Sequence, residues 1–282
     1  MTSLLQPEKS SAQRGHARLT VEMVSGQSAV TTAQSASPLK ILTPQARGAS
    51  VWAFTSSFGG GLVAGDQTRL DLEVAKDARC FVGTQASTKI YRNPSRRPCS
   101  HHTRATVQEN ALLVFAPDPV QAFAESAYTQ RQEFFLAESS NLVLADWFTA
   151  GRAARGERWS FSHLQSRNEI FVAGRRIFLD SILLNAESGF TASPHQAGRF
   201  NCFALLFVCG KLLASFTENL LAEISARPVE RRGTLACSAS PVADGALLRI
   251  AGENVEEVGR TLHHHLNSVA PLLDDDPWRR KW

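Results

Sequence analysis

Three segments of this chain repeat one pattern: LEVAKDARCFVG from Leu72, ATVQENALLVFA from Ala105 and FFLAESSNLVLA from Phe134. Each finishes an apolar strand, passes a small polar corner (Lys76-Asp77, Glu109-Asn110, Glu138-Ser139) and starts a second apolar strand. Val74, Val107 and Leu136 hold matching places about thirty residues apart, the order of period expected of stacked supersecondary units. A unit that short cannot bury its own apolar face and needs its neighbours to cover it. The expected fold is therefore mainly β, a stacked or helicoidal sheet architecture.

The flanking sequence fits that frame. Ala17–Val24 alternates apolar and polar residues with strand period, Gly26 interrupts it, and a β-prone run resumes from Ser28 to Leu42. Pro38, lacking an N–H, confines part of that run to an edge or a bulge. A fourth pair of strands spans Arg167–Asn185 and turns at Gly174. After Pro194 the texture changes. Asn201–Gly210 reads as a buried strand, and Lys211–Ala226 carries Leu213, Phe216, Leu220 and Ile224 at helical spacing until Pro228 stops it. Two more strands, Thr234–Val242 and Ala246–Gly252, precede a helix over Val255–Leu273, with Asn254 as its cap and Glu256 and Glu257 in its first turn. The reading is thus a β-rich domain over residues 16–282 with two α-helices near its C-terminus, after a flexible N-terminal tail, 1–15, of small polar and charged residues.

Composition narrows the function. A chain of 282 residues with a net charge of +4 and scattered basic residues carries no nucleic-acid footprint, and its aromatic residues do not alternate with basic ones. The start lacks a basic segment followed by an apolar one, and the longest apolar run, around Cys202–Gly210, is too short to span a bilayer. Five cysteines without regular spacing fit free thiols in a reducing compartment, and Cys202 and Cys209 read as small buried hydrophobes. The expectation is a cytoplasmic protein with neither nucleic acid nor membrane as partner.

The stretch SSFGGGLVAGD (Ser56–Asp66) has G-x-x-x-x-G spacing from Gly60 to Gly65. A phosphate loop places Lys and then Ser or Thr after its last glycine and opens a helix. Here Asp66 follows, and TRLDLEV continues with strand period. The nucleotide reading fails, and the glycines read as a turn. No nucleophile elbow, zinc-protease helix or paired-cysteine motif occurs anywhere in the chain.

Several motifs taken in order nevertheless carry a resemblance. SPLKILTP (Ser37–Pro44), GGLVAGD, TQASTKIYR (Thr84–Arg92), DWFTAGRAARGERW (Asp146–Trp159) and LQSRNEIFVAGRRIFLD (Leu164–Asp180) together resemble the urease accessory protein family UreD, also called UreH. The resemblance runs from about Ala17 to Arg260. It implies a helicoidal β-fold with two helices and a non-enzymatic role. It further implies apo-urease, a UreF-like adaptor and a UreG-like GTPase as partners. The assembly delivers nickel to urease, nickel is in transit with no cofactor held permanently, and GTP belongs to the partner GTPase.

The polar residues inside those motifs are the site candidates. Asp66, Asp146 and Glu169 are candidates for a transient nickel route, since carboxylates lining an interior passage release the ion again; each also reads as a surface, turn or ion-pair carboxylate, the commoner role of such residues. Gly60, Gly61, Gly65, Thr84, Lys89, Tyr91, Gly151, Arg152, Gly156 and Glu157 are candidates for partner binding or for the structure of the motifs themselves. Lys89 pairs with a carboxylate such as Asp66 or is a solvated strand lysine, and Arg152 grips an acidic partner or fixes its own loop. Cys99, His101 and His102 have the chemistry of a metal site but no supporting ligand pattern, and read as an exposed loop. His263–His265 fan out around a helix, read as partly exposed, and cannot share one ion from that helix alone. A carbohydrate-active β-solenoid using the same three carboxylates as acid, base or metal ligands is the alternative.

Overall fold

The computed structural model describes residues 14–45, 47–95, 97–185, 197–228 and 230–280. The coil repeat is its organising element. Gln67–Val74, Cys99–Val107, Ala127–Leu136 and His163–Val172 lie parallel in one sheet, together with His16–Val24. Across each corner the chain enters a second parallel array made of Val51–Ser57, Arg79–Thr84, Leu112–Phe115 and Asn141–Thr149. Short strands at Gly61–Leu62, Thr88–Ile90 and Val120–Ala122 stack as a third face, which the sequence did not disclose because segments of two or three residues carry no period.

Val74 pairs with Val107, Val107 with Leu136 and Leu136 with Val172, so the matching places in the sequence are lateral neighbours in the sheet. The corners are built alike. Ala78, Ala111 and Ser140 each donate an N–H to the carbonyl three residues back, at 3.1 Å. Asp77 and Asn110 have φ of 62° and 57°, a left-handed conformation that Asn and Asp tolerate. The corners also bind one another: Asn110 Nδ2 donates to Asp77 Oδ1 at 3.0 Å, and its backbone N–H to Ser139 Oγ at 3.2 Å.

Antiparallel strands finish both sheets. Gln27–Ser35 and Arg175–Asn185 flank the first, the latter through a two-residue turn in which Ala173 and Gly174 both have positive φ. Cys202–Cys209, Gly245–Gly252 and Leu235–Val242 extend the second at one side and Leu39–Leu42 at the other. Pro38 lies between two strands, outside any ladder. On the face of the second sheet that points away from the first lie helices α1 (Ala214–Ala226), α2 (Val255–Asn267) and the four-residue α3 (Ala270–Leu273). Leu220, Ile224, Val258 and Leu262 pack from this layer onto Leu206 and Leu248. Between the sheets lies a second apolar cluster that includes Val74, Val107, Phe134, Leu144 and Phe207. A third, around Leu62, Ile90, Trp159 and Phe161, fills the end near the short strands.

Four expectations change. The helix expected over Val255–Leu273 ends at Asn267, and Pro271, with no N–H to give, lies in the separate α3. Asn254 has the extended backbone of a cap residue but makes no side-chain capping bond. Cys99–His102 is not an exposed loop; it starts the long strand that ends at Val107. Of the expected N-terminal tail, residues 1–13 lie outside the described residues. Gly15 belongs to the fold, donating its N–H to the Ser37 carbonyl at 2.9 Å.

Phe134 is fully buried between the sheets and meets Phe115 edge-on at 5.6 Å. Phe134→Ala is expected to lower the unfolding free energy by about 3–5 kcal/mol. Thr106→Ala, on the exposed face of the neighbouring strand, should change it by less than about 0.5 kcal/mol. Urea unfolding of both variants checks the difference.

Candidate functional site

Strand alternation sends every second side chain of the first sheet inward. Toward the Val74–Val107–Leu136 corner these inward residues are apolar; six residues earlier in each coil, and four residues earlier in all but the first, where Leu70 stands, they become polar. Thr68, His101, Gln130 and Ser166 are register partners in one row, and Thr103, Gln132, Asn168 and Asp180 in the next. Two polar rows thus cross the interior between the apolar cluster at the corners and the cluster under the short strands.

Asp146 meets these rows from the opposite sheet. It lies on Asn141–Thr149 in alternation with Leu142 and Leu144, which face the inter-sheet core, while Val143, Ala145 and Trp147 face the helices. Its carboxylate is buried and accepts from Gln130 Nε2 at 2.9 Å, Ser166 Oγ at 2.9 Å and Asn168 Nδ2 at 2.8 Å. All three donors are neutral. Burial pushes its pKa up, the three hydrogen bonds act against that, and the nearby Asp180 adds to the rise. Gln132 Nε2 supports the network by donating to Asn168 Oδ1 at 2.7 Å, and the buried Tyr128 hydroxyl donates to Gln130 Oε1 at 3.2 Å.

Two cavities meet at this carboxylate. One, of about 180 Å³, reaches from Gly60 and Thr84 past His101 and Gln130 to Asp146. The other, of about 450 Å³, continues from Asp146 past Asp180, Phe203 and Arg249. Asp180 is buried; its Oδ1 accepts from Arg249 at 2.6 Å, while its Oδ2 has no hydrogen-bond partner among the described residues. In the smaller cavity, His101 Nδ1 lies 2.8 Å from Thr68 Oγ1 and Nε2 lies 3.0 Å from Thr103 Oγ1. Loss of solvation, with His102 beside it, lowers the His101 pKa to about 4 and keeps the ring neutral at pH 7.

The three sequence-derived carboxylates are not gathered into one site. Asp66 accepts from the backbone N–H of Val63 at 3.0 Å and closes the turn after the glycines. Glu169 projects from the opposite side of its strand to Asn168, onto the outer face of the first sheet. There Arg167 grips it with two bonds of 2.9 Å, and Arg176 and Arg131 add contacts at 3.0 and 3.4 Å. The Arg167 hydrogen bonds lead in holding its pKa down to about 2, with Arg176 and Arg131 contributing. An acid–base pair needs its two groups on either side of one substrate bond, and these carboxylates face three different surroundings.

The remaining candidates serve the motifs locally. Thr84 Oγ1 donates to Asp118 Oδ2 at 3.2 Å and accepts from the Asp118 N–H at 2.8 Å. Tyr91 donates to the Gly59 carbonyl at 3.0 Å and meets Phe123 edge-on. Gly61 is required by close approach, since a Cβ there would lie 2.4 Å from the Lys89 carbonyl oxygen and 2.7 Å from the Tyr91 ring. Gly60, with φ of 71°, ends the 3₁₀ turn Phe58–Gly60, and Gly65, with φ of 83°, lies in the turn that follows the short strand Gly61–Leu62. Lys89 is exposed, and no ion pair joins it to Asp66 among the described residues. Arg152 forks onto Glu157, with Nε 2.9 Å from Oε2, and covers the Phe123 ring at 4.2 Å. Glu157 Oε2 also accepts from the Ala124 N–H at 3.2 Å, and the Arg152 bonds draw its pKa down. Gly151, between the Ala122 and Glu157 carbonyls, has no room for a Cβ, and Gly156 ends the turn between the two halves of this hairpin. Arg152 and Glu157 therefore fix their own loop. Cys202 and Cys209 are buried, and burial lifts both thiols to about 12.

Stacked β-coils with a polar lane between the sheets, and a helical layer behind, define the class of protein. Residues 13–282 match the family described as UreD urease accessory protein. The urease accessory protein UreD of Sorangium cellulosum is 43% identical over 271 residues, covering 95% of this chain and 84% of that protein. UreD of an Anaeromyxobacter species is 36% identical over 266 residues, covering 94% and 89%. Urease accessory protein D of Oryza sativa subsp. indica is 31% identical over 286 residues, covering 92% and 93%. The chain belongs to the UreD family of urease accessory proteins. No helix of the described residues is long and apolar enough to cross a membrane.

The neutral His101 ring generates a prediction about acid. The unfolded chain takes up a proton at this residue near pH 6.5, the folded protein only near pH 4. Its contribution to stability is therefore complete above pH 6.5 and lost as the pH falls toward 4. His101→Gln should flatten the pH dependence of unfolding free energy between those values, measured by urea titration at a series of pH. An unchanged slope would place the ring in a solvated environment.

Proposed function

We propose that this chain is a non-enzymatic scaffold and nickel-delivery factor of urease maturation, working in the cytoplasm. It binds apo-urease, recruits a UreF-like adaptor and a UreG-like GTPase, and passes nickel through its interior by way of Asp146. The GTP is the partner's. In this chain the glycine stretch is a 3₁₀ turn, the short strand Gly61–Leu62 and a second turn, and it leads into the strand Gln67–Val74 and not into a helix N-terminus that could receive a phosphate.

The observation that carries the reading is the charge state around Asp146. A hydrated divalent ion that enters a protein interior loses water and needs negative oxygen in return. Asp146 supplies it: its hydrogen-bond partners are neutral, so its negative charge is not cancelled, and it stands where the two cavities meet. Asp180 adds a second buried carboxylate on the same cavity, partly compensated by Arg249. Glu169 offers no comparable attraction, because three arginines surround it. The route therefore uses Asp146 and Asp180. Glu169 holds the outer face of the sheet together, and Asp66 closes its own turn through the Val63 N–H.

Co-expression of urease with its accessory proteins tests the assignment. Asp146→Asn keeps the shape and part of the hydrogen bonding while removing the charge. It is expected to pull down apo-urease normally while the urease produced carries severalfold less nickel. Glu169→Gln is expected to lower stability and yield with no specific loss of nickel per urease. Normal nickel content with Asp146→Asn would remove this residue from the route.

A further inference from the structure

The helical layer contains a cluster that the interior passage does not use. We infer that Glu223, His264 and His265 form a binding site for a divalent transition-metal ion of the zinc or nickel class, bridging α1 and α2. One donor atom from each of the three side chains lies within 4.8 Å of the others. His264 Nε2 is 3.2 Å from Glu223 Oε2, and His265 Nδ1 is 3.8 Å from the same oxygen. Metal–ligand bonds of about 2.0–2.1 Å in tetrahedral or octahedral arrangement place neighbouring donors roughly 3.0–3.4 Å apart. The two contacts to Glu223 Oε2 lie within a few tenths of an ångström of that range, while the two histidine donors, at most 4.8 Å apart, close by up to about 1.4 Å to enclose an ion.

Consecutive histidines on one helix diverge, and α2 alone would not suffice. Glu223, from the last turns of α1, supplies the third donor between the two rings. Arg227 holds the other carboxylate oxygen, Oε1, which fixes the side chain and leaves Oε2 turned to the histidines. His265 is 3% exposed, its Nε2 has no hydrogen-bond partner, and its 3.8 Å contact with Glu223 is too long for a hydrogen bond. The nitrogen nearest Glu223 is Nδ1, so an ion held there leaves Nε2 as it is, and the site rests on the convergence of the three donors. His264 is exposed, which gives an ion a path of entry and leaves coordination positions for water or a partner's side chain. Imidazole with carboxylate suits zinc and nickel better than calcium or magnesium. The site lies on the side of the second sheet opposite the passage, so the two are separate.

The full-length protein without a histidine tag, titrated calorimetrically with Zn²⁺ and separately with Ni²⁺, tests the site. Binding of one equivalent with a dissociation constant of about 10 μM or tighter is expected for at least one ion. His264→Ala and Glu223→Gln should each weaken it about tenfold or more, with circular dichroism verifying that the variants are folded. His264→Ala alters an exposed side chain and remains informative if Glu223→Gln, which also loses the Arg227 pair, does not fold. X-ray absorption of the loaded protein should show imidazole and carboxylate without thiolate. Absence of saturable binding, undiminished affinity in His264→Ala, or a sulfur ligand would overturn the assignment.

Discussion

Lateral register between coils is the constraint on which everything else here depends. Val74, Val107, Leu136 and Val172 lie side by side, and that alignment also fixes what lies four and six residues earlier. Slipping one coil by a single residue would turn its apolar positions outward. Slipping it by two would keep the apolar face but set Gln132 beside His101 in place of Thr103, and the polar rows would no longer meet Asp146 as they do. The corners resist both movements, because Asn110 is tied to Asp77 on one side and to Ser139 on the other. A single register thus produces the dry core and the polar lane together.

The two kinds of carboxylate show how environment divides roles among like residues. Glu169 is surrounded by guanidinium groups that hold it ionised to about pH 2, which makes it a structural anion. Asp146 has only amides and a hydroxyl, and burial works against its ionisation. A cation passing near Glu169 meets a neutralised charge; one passing near Asp146 meets an uncompensated one. On the proposed reading, this contrast, more than the presence of carboxylates as such, separates a route for the ion from an ion-pair network.

Much of the architecture was legible from residues alone. The thirty-residue spacing marked the coils, Gly174 marked the hairpin, and Leu220 and Ile224 marked the buried stripe of α1, while Leu213, expected in the same helix, is buried in the 3₁₀ turn before it. The polar rows were hidden because Thr, Gln, Ser and Asn at inward positions resemble ordinary interruptions of a strand. Their common offset from Val107, Leu136 and Val172 was available, and counting back four residues from each finds Thr103, Gln132 and Asn168. Glu169 was grouped with Asp146 because both sit within family-like motifs, yet its neighbour Asn168 is the inward residue and Glu169 the outward one. Glu223 and His264–His265 are forty residues apart in sequence, and only the packing of α1 beside α2 brings them together.

The central claim is that the buried lane admits a divalent cation to Asp146. Crystals of the protein soaked in nickel, with diffraction data recorded on both sides of the nickel absorption edge, examine that claim directly. The account predicts an anomalous peak between the two cavities within bonding distance of the Asp146 carboxylate, absent when Asp146 is replaced by Asn. Nickel found only at the protein surface, with the lane empty at saturating metal, would contradict it.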